Sequence, residues 1–193
     1  VHMRCNTMNA ALVLAIMGVE PAFIESTLGQ WTGIPHRLQF FHTWQSPSGT
    51  KFRFFNDSCS TVPEAAAVAS QSFGKQVVFI TGGTDKGLDF MPLAATLNYK
   101  DSFSTKVYKL YLLDGTGTEK LVQLLKKDQI DFDKPFDSLE LLLKKLKEDL
   151  LMAGDSFLSD TIVFSPGATS FGMFANEFDR GNKFMNLVKE IFA

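Results

Sequence analysis

The sequence predicts an α/β fold: a Rossmann-like, mostly parallel sheet with helices on both faces and an N-terminal β-hairpin. Three observations carry this prediction. From residue 51 onward, short apolar strand-like runs alternate with longer segments of helical period, the pattern of a doubly covered parallel sheet. Ahead of them, extended segments at 37–44 and 51–55 flank Ser46-Pro47-Ser48-Gly49, a turn that reads as a hairpin. Finally, three of the strands run directly into polar, small-residue turns, where α/β proteins bind anions and place chemistry.

In chain order, Asn6-Thr7 suits the cap of a helix over roughly 8–18, ended by Gly18. Pro21 opens a second helix reaching about Gln30. Trp31-Thr32-Gly33-Ile34-Pro35 breaks the pattern and marks the expected domain boundary, dividing 1–34 from 35–193. After the hairpin come a helix at 63–73, a strand at 76–81, a helix at 91–97, a strand at 106–113 and a helix at 118–127. A short strand is expected near Ile130-Asp131-Phe132, then a helix at 137–152, a strand at 161–165 and a last helix at 173–192. In the helix at 137–152, Leu139, Leu142, Leu143, Leu146 and Leu150 form one apolar stripe, with Lys144, Lys145, Lys147 and Glu148 mostly off it.

Composition narrows the function. The 193 residues are 45% hydrophobic with a net charge of −2, which gives no electrostatic footprint for nucleic acid. The nineteen Phe are expected mainly in the core. Cys5 and Cys59 make no disulfide framework, which points to a reduced, cytoplasmic setting. The run at 10–17 is too short to span a membrane. No His, Cys and carboxylate cluster has metal-ligand spacing, and no Ser-His-Asp set or Gly-x-Ser-x-Gly elbow is evident.

The three turns hold the chemistry. Asn56-Asp57-Ser58-Cys59-Ser60-Thr61 offers a carboxylate and hydroxyls at a strand end, suited either to cap the next helix or to hold a ligand. Thr81-Gly82-Gly83-Thr84-Asp85-Lys86-Gly87 lacks the spacing of a Walker loop. Its glycines allow close backbone approach, and Lys86 suits a carboxylate or phosphate, unless it is simply a solvated lysine on an ordinary turn. Ser165-Pro166-Gly167-Ala168-Thr169-Ser170 is either a tight strand-to-helix connection or a set of exposed amides for an anion. His36-Arg37 follows the break, where an arginine can reach a ligand held between domains.

In order along the chain, these pieces resemble the Mur ligase family. Ile34-Pro35-His36-Arg37 looks like the family's Leu-Pro-His-Arg, and Asn56-Asp57-Ser58-Cys59-Ser60-Thr61 like Asn-Asp-Ser-Lys-Ala-Thr. The stretch from Gly82 to Gly87 looks like Gly-Gly-x-Asp-Lys-Gly. Ser165 to Phe171, with Phe178-Asp179-Arg180-Gly181 downstream, looks like Ser-Pro-Ala-x-Ala-Ser and its following Arg-Gly. The resemblance covers the family's C-terminal domain, with 1–34 resembling the last helices of its central ATPase domain. It is strongest to the branch that adds D-glutamate to UDP-N-acetylmuramoyl-L-alanine.

The resemblance implies an ATP-dependent ligase that uses Mg2+ in its full-length form and works through an acyl phosphate. It implies that Arg37 and Asp57 face the nucleotide and that Thr61, Lys86 and Ser170 hold D-glutamate, with an aromatic such as Phe178 packing nearby; His36 is left open between a ligand contact and a structural histidine. Its partners would be the two substrates and the remaining domains, in a monomer without nucleic acid or membrane. No catalytic residue or metal site falls within this domain alone, and the isolated chain is expected to be inactive. One departure is plain: Cys59 stands where the family has lysine, and a thiol supplies no fixed positive charge at neutral pH. Lys86 then carries that charge, or substrate preference shifts, or activity falls. The order Glu177-Phe178 also reverses the family's aromatic–acidic order.

Overall fold

A computed structural model describes residues 2–97 and 107–193. It divides into two compact units, one up to Ile34 and one from Pro35 onward. The first unit holds α1 (His2–Ile16) and α2 (Pro21–Gly29). Pro21 occupies the first turn of α2, and α1 runs through Asn6 and Thr7 instead of being capped by them. Ile24 is buried, whereas Met8, Leu12, Ile16, Met17 and Phe23 are exposed.

The second unit contains a five-stranded sheet: β1 (Gln39–Gln45), β2 (Lys51–Asn56), β3 (Val77–Gly82), β4 (Val107–Leu113) and β5 (Thr161–Phe164). Their spatial order is β1-β2-β5-β3-β4. β1 and β2 form the antiparallel hairpin, and every other neighbouring pair is parallel. Of the strand predicted at 106–113, Lys106 lies outside the described residues.

Alternate strand residues face opposite layers, as the pleat requires. On one face Phe52, Phe54, Val78, Ile80, Tyr111, Ile162 and Phe164 pack with α6 (Leu139–Ala153) and α7 (Glu177–Ile191). On the other, Val77, Phe79, Leu110, Leu112 and Val163 pack with α3 (Pro63–Gln71), α4 (Met91–Leu97) and α5 (Thr116–Lys127). The leucine stripe of α6 is fully inside, as its spacing requires. Phenylalanine supplies much of both layers, although Phe23, Phe40, Phe171 and Phe178 remain exposed.

Several expectations are corrected. Ile130-Asp131-Phe132 is not a strand. Ile130 is buried as an anchor, and the free edge of β4 is taken further on by Phe136, whose N–H donates to the Leu112 carbonyl at 2.8 Å. Between them Pro135 has no N–H to offer a ladder. The last helix begins at Glu177, not 173, because Asn176 caps it by accepting from the Asp179 N–H at 2.8 Å. The Asp179 carboxylate in turn accepts from the Ala175 N–H at 3.0 Å, tying the residue before the cap to the first turn of the helix. α5 starts two residues early, at Thr116, behind Gly115.

Two adjacent strands set up the crevice. β2 continues into α3 on one face, whereas its neighbour β5 continues toward α7 on the other. Such a divergence opens a gap outside the carboxyl ends of the strands. Among the described residues, no helix is long and apolar enough to cross a membrane.

Candidate functional site

Because β5 lies between β2 and β3, the three polar turns leave the sheet side by side. The central turn, 165–170, is bonded to both others. On one side Ser165 Oγ donates to the Asp57 carboxylate at 2.7 Å, and the Gly167 N–H donates to the Ser60 carbonyl at 3.0 Å. On the other, the Thr81 hydroxyl and the Gly82 N–H both donate to the Pro166 carbonyl at 2.9 Å. Thr84 and Thr169 then pair through their backbones, and the Thr169 hydroxyl donates to the Thr84 carbonyl at 3.0 Å. The result is one continuous polar edge.

The first turn does not cap α3. The residue at the cap is Val62, with no side-chain cap bond, and Pro63 and Glu64 fill the first turn. The hydroxyls of Ser58 and Ser60 are buried without a hydrogen-bond partner among the described residues. An unpartnered buried hydroxyl is costly, and such groups concentrate where a ligand or a solvent molecule completes them.

Asp57 is 2% exposed. One carboxylate oxygen accepts from the Leu38 N–H at 3.1 Å and the other from Ser165. Burial pushes its pKa up to about 6, and the bonds from Ser165 and Leu38 and the charge of Arg37 only partly oppose this. Arg37 itself is half-buried, held between two left-handed residues, His36 at φ 61° and Leu38 at φ 44°. That backbone is uncommon outside glycine, and it is fixed here by the bonds on either side of Arg37. The His36 N–H donates to the Gln39 side chain, and the Leu38 N–H to Asp57.

His36 is buried, with its Nδ1 2.9 Å from Asn56 Nδ2. The Asn56 carbonyl oxygen accepts from the Ser58 N–H, which orients the amide so that Nδ2 donates. His36 is therefore neutral at Nδ1, with its proton on Nε2. Burial lowers its pKa below the ordinary value, in keeping with that state. Phe178, 52% exposed on the first turn of α7, stands edge-on to the His36 ring at 5.7 Å.

Cys59 is half-buried and reduced, and its N–H donates to the His36 carbonyl at 3.1 Å. Burial pushes its thiol up, with Arg37 pulling the other way. Ser170 is buried at the end of the central turn, where its carbonyl accepts from the Phe174 N–H. Thr61 is half-buried just before α3. The structure thus groups His36, Arg37, Asp57, Cys59 and Phe178 closely. Lys86 stands apart: it is exposed, and among the described residues it makes no hydrogen bond or ion pair. Its neighbour Asp85 is tied instead to Lys120 at 2.5 Å and to the backbone N–H groups of Gly87 and Leu88.

Sequence reasoning passed over one residue of this group. Arg180 was noticed only within a motif, yet it is fully buried, donating from Nη2 to the Ser58 carbonyl at 2.8 Å and from Nη1 to the Ala168 carbonyl at 3.0 Å. The available signal was its register: Arg180, Phe184 and Val188 share the inward stripe of α7. Gly181 makes room beside it, since a Cβ there would lie 2.2 Å from Ser58 Oγ and 2.3 Å from His36 Nδ1. Among the described residues, no group of three or more His, Cys, Asp or Glu is placed to hold a metal ion.

No family model matches the chain. Curated relatives do. The chain is 44% identical over 169 residues to the UDP-N-acetylmuramoylalanine–D-glutamate ligase of Treponema pallidum, covering 88% of this chain and 28% of that protein. It is 33% identical to the ligase of that name from Roseiflexus, over 97% of this chain and 37% of the relative, and 32% identical to that of Aquifex aeolicus, over 100% and 42%. The chain therefore spans between 28 and 42% of the length of these relatives. With ligases of one name matched along nearly its whole length, the chain belongs to the Mur ligase family.

Proposed function

We propose that this chain is the C-terminal, amino-acid-binding domain of an ATP-dependent ligase that joins D-glutamate to UDP-N-acetylmuramoyl-L-alanine in peptidoglycan synthesis. The observation that carries the reading is the match to D-glutamate ligases along 88 to 100% of the chain, together with three polar turns joined into one edge beside Arg37. Residues 1–34 are assigned to the last helices of the central ATPase domain, and 35–193 to the C-terminal domain.

The reaction is phosphoryl transfer followed by acyl transfer. The muramoyl-alanine carboxylate takes the terminal phosphoryl group of ATP, releasing ADP. The amine of D-glutamate then attacks the acyl carbon, and inorganic phosphate leaves. Such chemistry depends on alignment and charge neutralisation more than on a covalent catalyst. In this division of labour Arg37, set in place by the bonded loop over Asp57, faces the nucleotide. Thr61, Lys86 and Ser170 hold D-glutamate, with Lys86 extending a free cation toward a carboxylate. The Mg2+ that accompanies ATP is assigned to the rest of the enzyme.

Cys59 in place of a lysine favours a second reading, a ligase of the same chemistry with another amino acid. A panel of amino acids separates the two. The full-length enzyme, given ATP, Mg2+ and UDP-N-acetylmuramoyl-L-alanine, is expected to release phosphate with D-glutamate and not with L-glutamate. Release with a different amino acid moves the specificity, and no release with any contradicts the ligase assignment.

A further inference from the structure

The least expected group in the fold is the Arg180 guanidinium. It is 0% exposed, yet among the described residues it forms no ion pair. Its two bonds run to neutral carbonyls, Ser58 at 2.8 Å and Ala168 at 3.0 Å, and its Nε–H is buried without a partner among the described residues. A buried cation outside any ion pair is a costly arrangement in a protein interior, and the Glu177 carboxylate, beyond ion-pair distance, offsets only part of that cost. Burial accordingly lowers its pKa to about 10, which still leaves it charged at neutral pH.

Its position is equally particular. Ser58 belongs to the turn after β2, and Ala168 to the turn after β5. The turn after β3 completes the enclosure: a Cβ built on Gly83, whose φ is +138°, would lie 3.7 Å from Nη1 and 3.0 Å from the Thr169 carbonyl. The guanidinium thus sits where all three polar turns converge, bonded to the carbonyl of Ser58, the residue before Cys59, where the family has a lysine. The orphaned hydroxyls of Ser58 and Ser60 lie in the turn that it holds. A planar fork is the side chain suited to grip two carbonyls at once, and a lysine has only a point charge to offer.

We propose that Arg180 is a positioning residue of the amino-acid site: it clamps the turns after β2 and β5 together, and its unpaired charge supplies the positive field that favours an anionic substrate there. This rests on the ligase reading above. The charge acts through the turns, without contact with the substrate, and it offsets the loss of a lysine at Cys59.

The test compares R180K and R180Q in the full-length enzyme. Both substitutions break the fork, but only the first keeps the charge. In R180K the KM for D-glutamate is expected to rise about fivefold, and in R180Q about fiftyfold, from the loss of a charged hydrogen-bonding group, with the KM values for ATP and the nucleotide-sugar substrate unchanged. Equal KM values for D-glutamate in the two variants, or a rise confined to ATP, would overturn the proposal. Failure of both variants to fold would assign Arg180 a purely structural role and overturn it as well. Hydrogen exchange gives a readout independent of turnover. Faster exchange at the amides of Cys59 and Thr169 is expected in R180Q, and unchanged exchange contradicts the clamp. A wild-type enzyme inert toward D-glutamate would instead defeat the ligase reading and leave the exchange result to decide the clamp.

Discussion

Asp57 shows how a single buried carboxylate makes the site's stability depend on pH. Its folded-state pKa is raised from an ordinary 3.8 to about 6. Between those values the folded chain holds a proton that the unfolded chain has lost, so stability falls as pH rises through this window and is level above it. Asp57→Asn removes the titration and keeps an oxygen for the Leu38 N–H. The stability of the wild type relative to this variant is therefore expected to drop by about 2 kcal/mol between pH 4 and 6, read by urea unfolding at each pH. A constant difference across that range would contradict the burial account. At this scale the sequence revealed which residues are polar and at strand ends, but not which are inside. Asp57 and Arg180 look like surface residues by type, and only the tertiary bonds from Leu38, Ser165, Ser58 and Ala168 explain their burial.

Elements were legible where one pattern dominated. The leucine stripe of α6, the all-buried strand β3 and the Pro63 start of α3 follow from period and proline position. The misreadings fell where tertiary pairing or a cap decided the outcome. Ile130 is core without ladder, and α7 starts at Glu177, behind its cap Asn176, not at residue 173. Leu143→Ala, in the centre of the α6 stripe, is expected to cost about 3 kcal/mol in thermal or urea unfolding, and a loss below about 1 kcal/mol would contradict full burial. α7 offers a sharper test. Glycine to alanine inside a helix normally stabilises by up to about 1 kcal/mol. Gly181→Ala is expected to destabilise by about 2 kcal/mol instead, because its methyl would meet Ser58 Oγ and His36 Nδ1. A melting temperature at or above wild type would show that this packing is looser than described.

Across the whole molecule, function follows from strand order. The turns at 56–61, 81–87 and 165–170 are far apart in sequence, and they meet because β5 is inserted between β2 and β3. Local patterning identifies each turn but carries no information on that insertion, since a parallel pairing is set by the crossover helices and the faces they cover. The family resemblance placed all three turns in one domain, whereas the bonds that join them, and the hub at Arg180, are tertiary facts. The chain spans 28 to 42% of the length of the three ligases compared with it, and the 193 residues alone are expected to release no phosphate from ATP with both substrates present. Turnover by this chain alone would contradict the proposed division of labour between domains.

The most direct test of the composite amino-acid site is the kinetics of Lys86→Met in the full-length enzyme. Lys86 is exposed and unpaired among the described residues, so the substitution leaves the fold undisturbed. The account predicts a KM for D-glutamate at least about tenfold higher, with the KM for ATP unchanged, as expected when one charged contact to a carboxylate is lost. An unchanged KM for D-glutamate, or a rise in that for ATP alone, would contradict it.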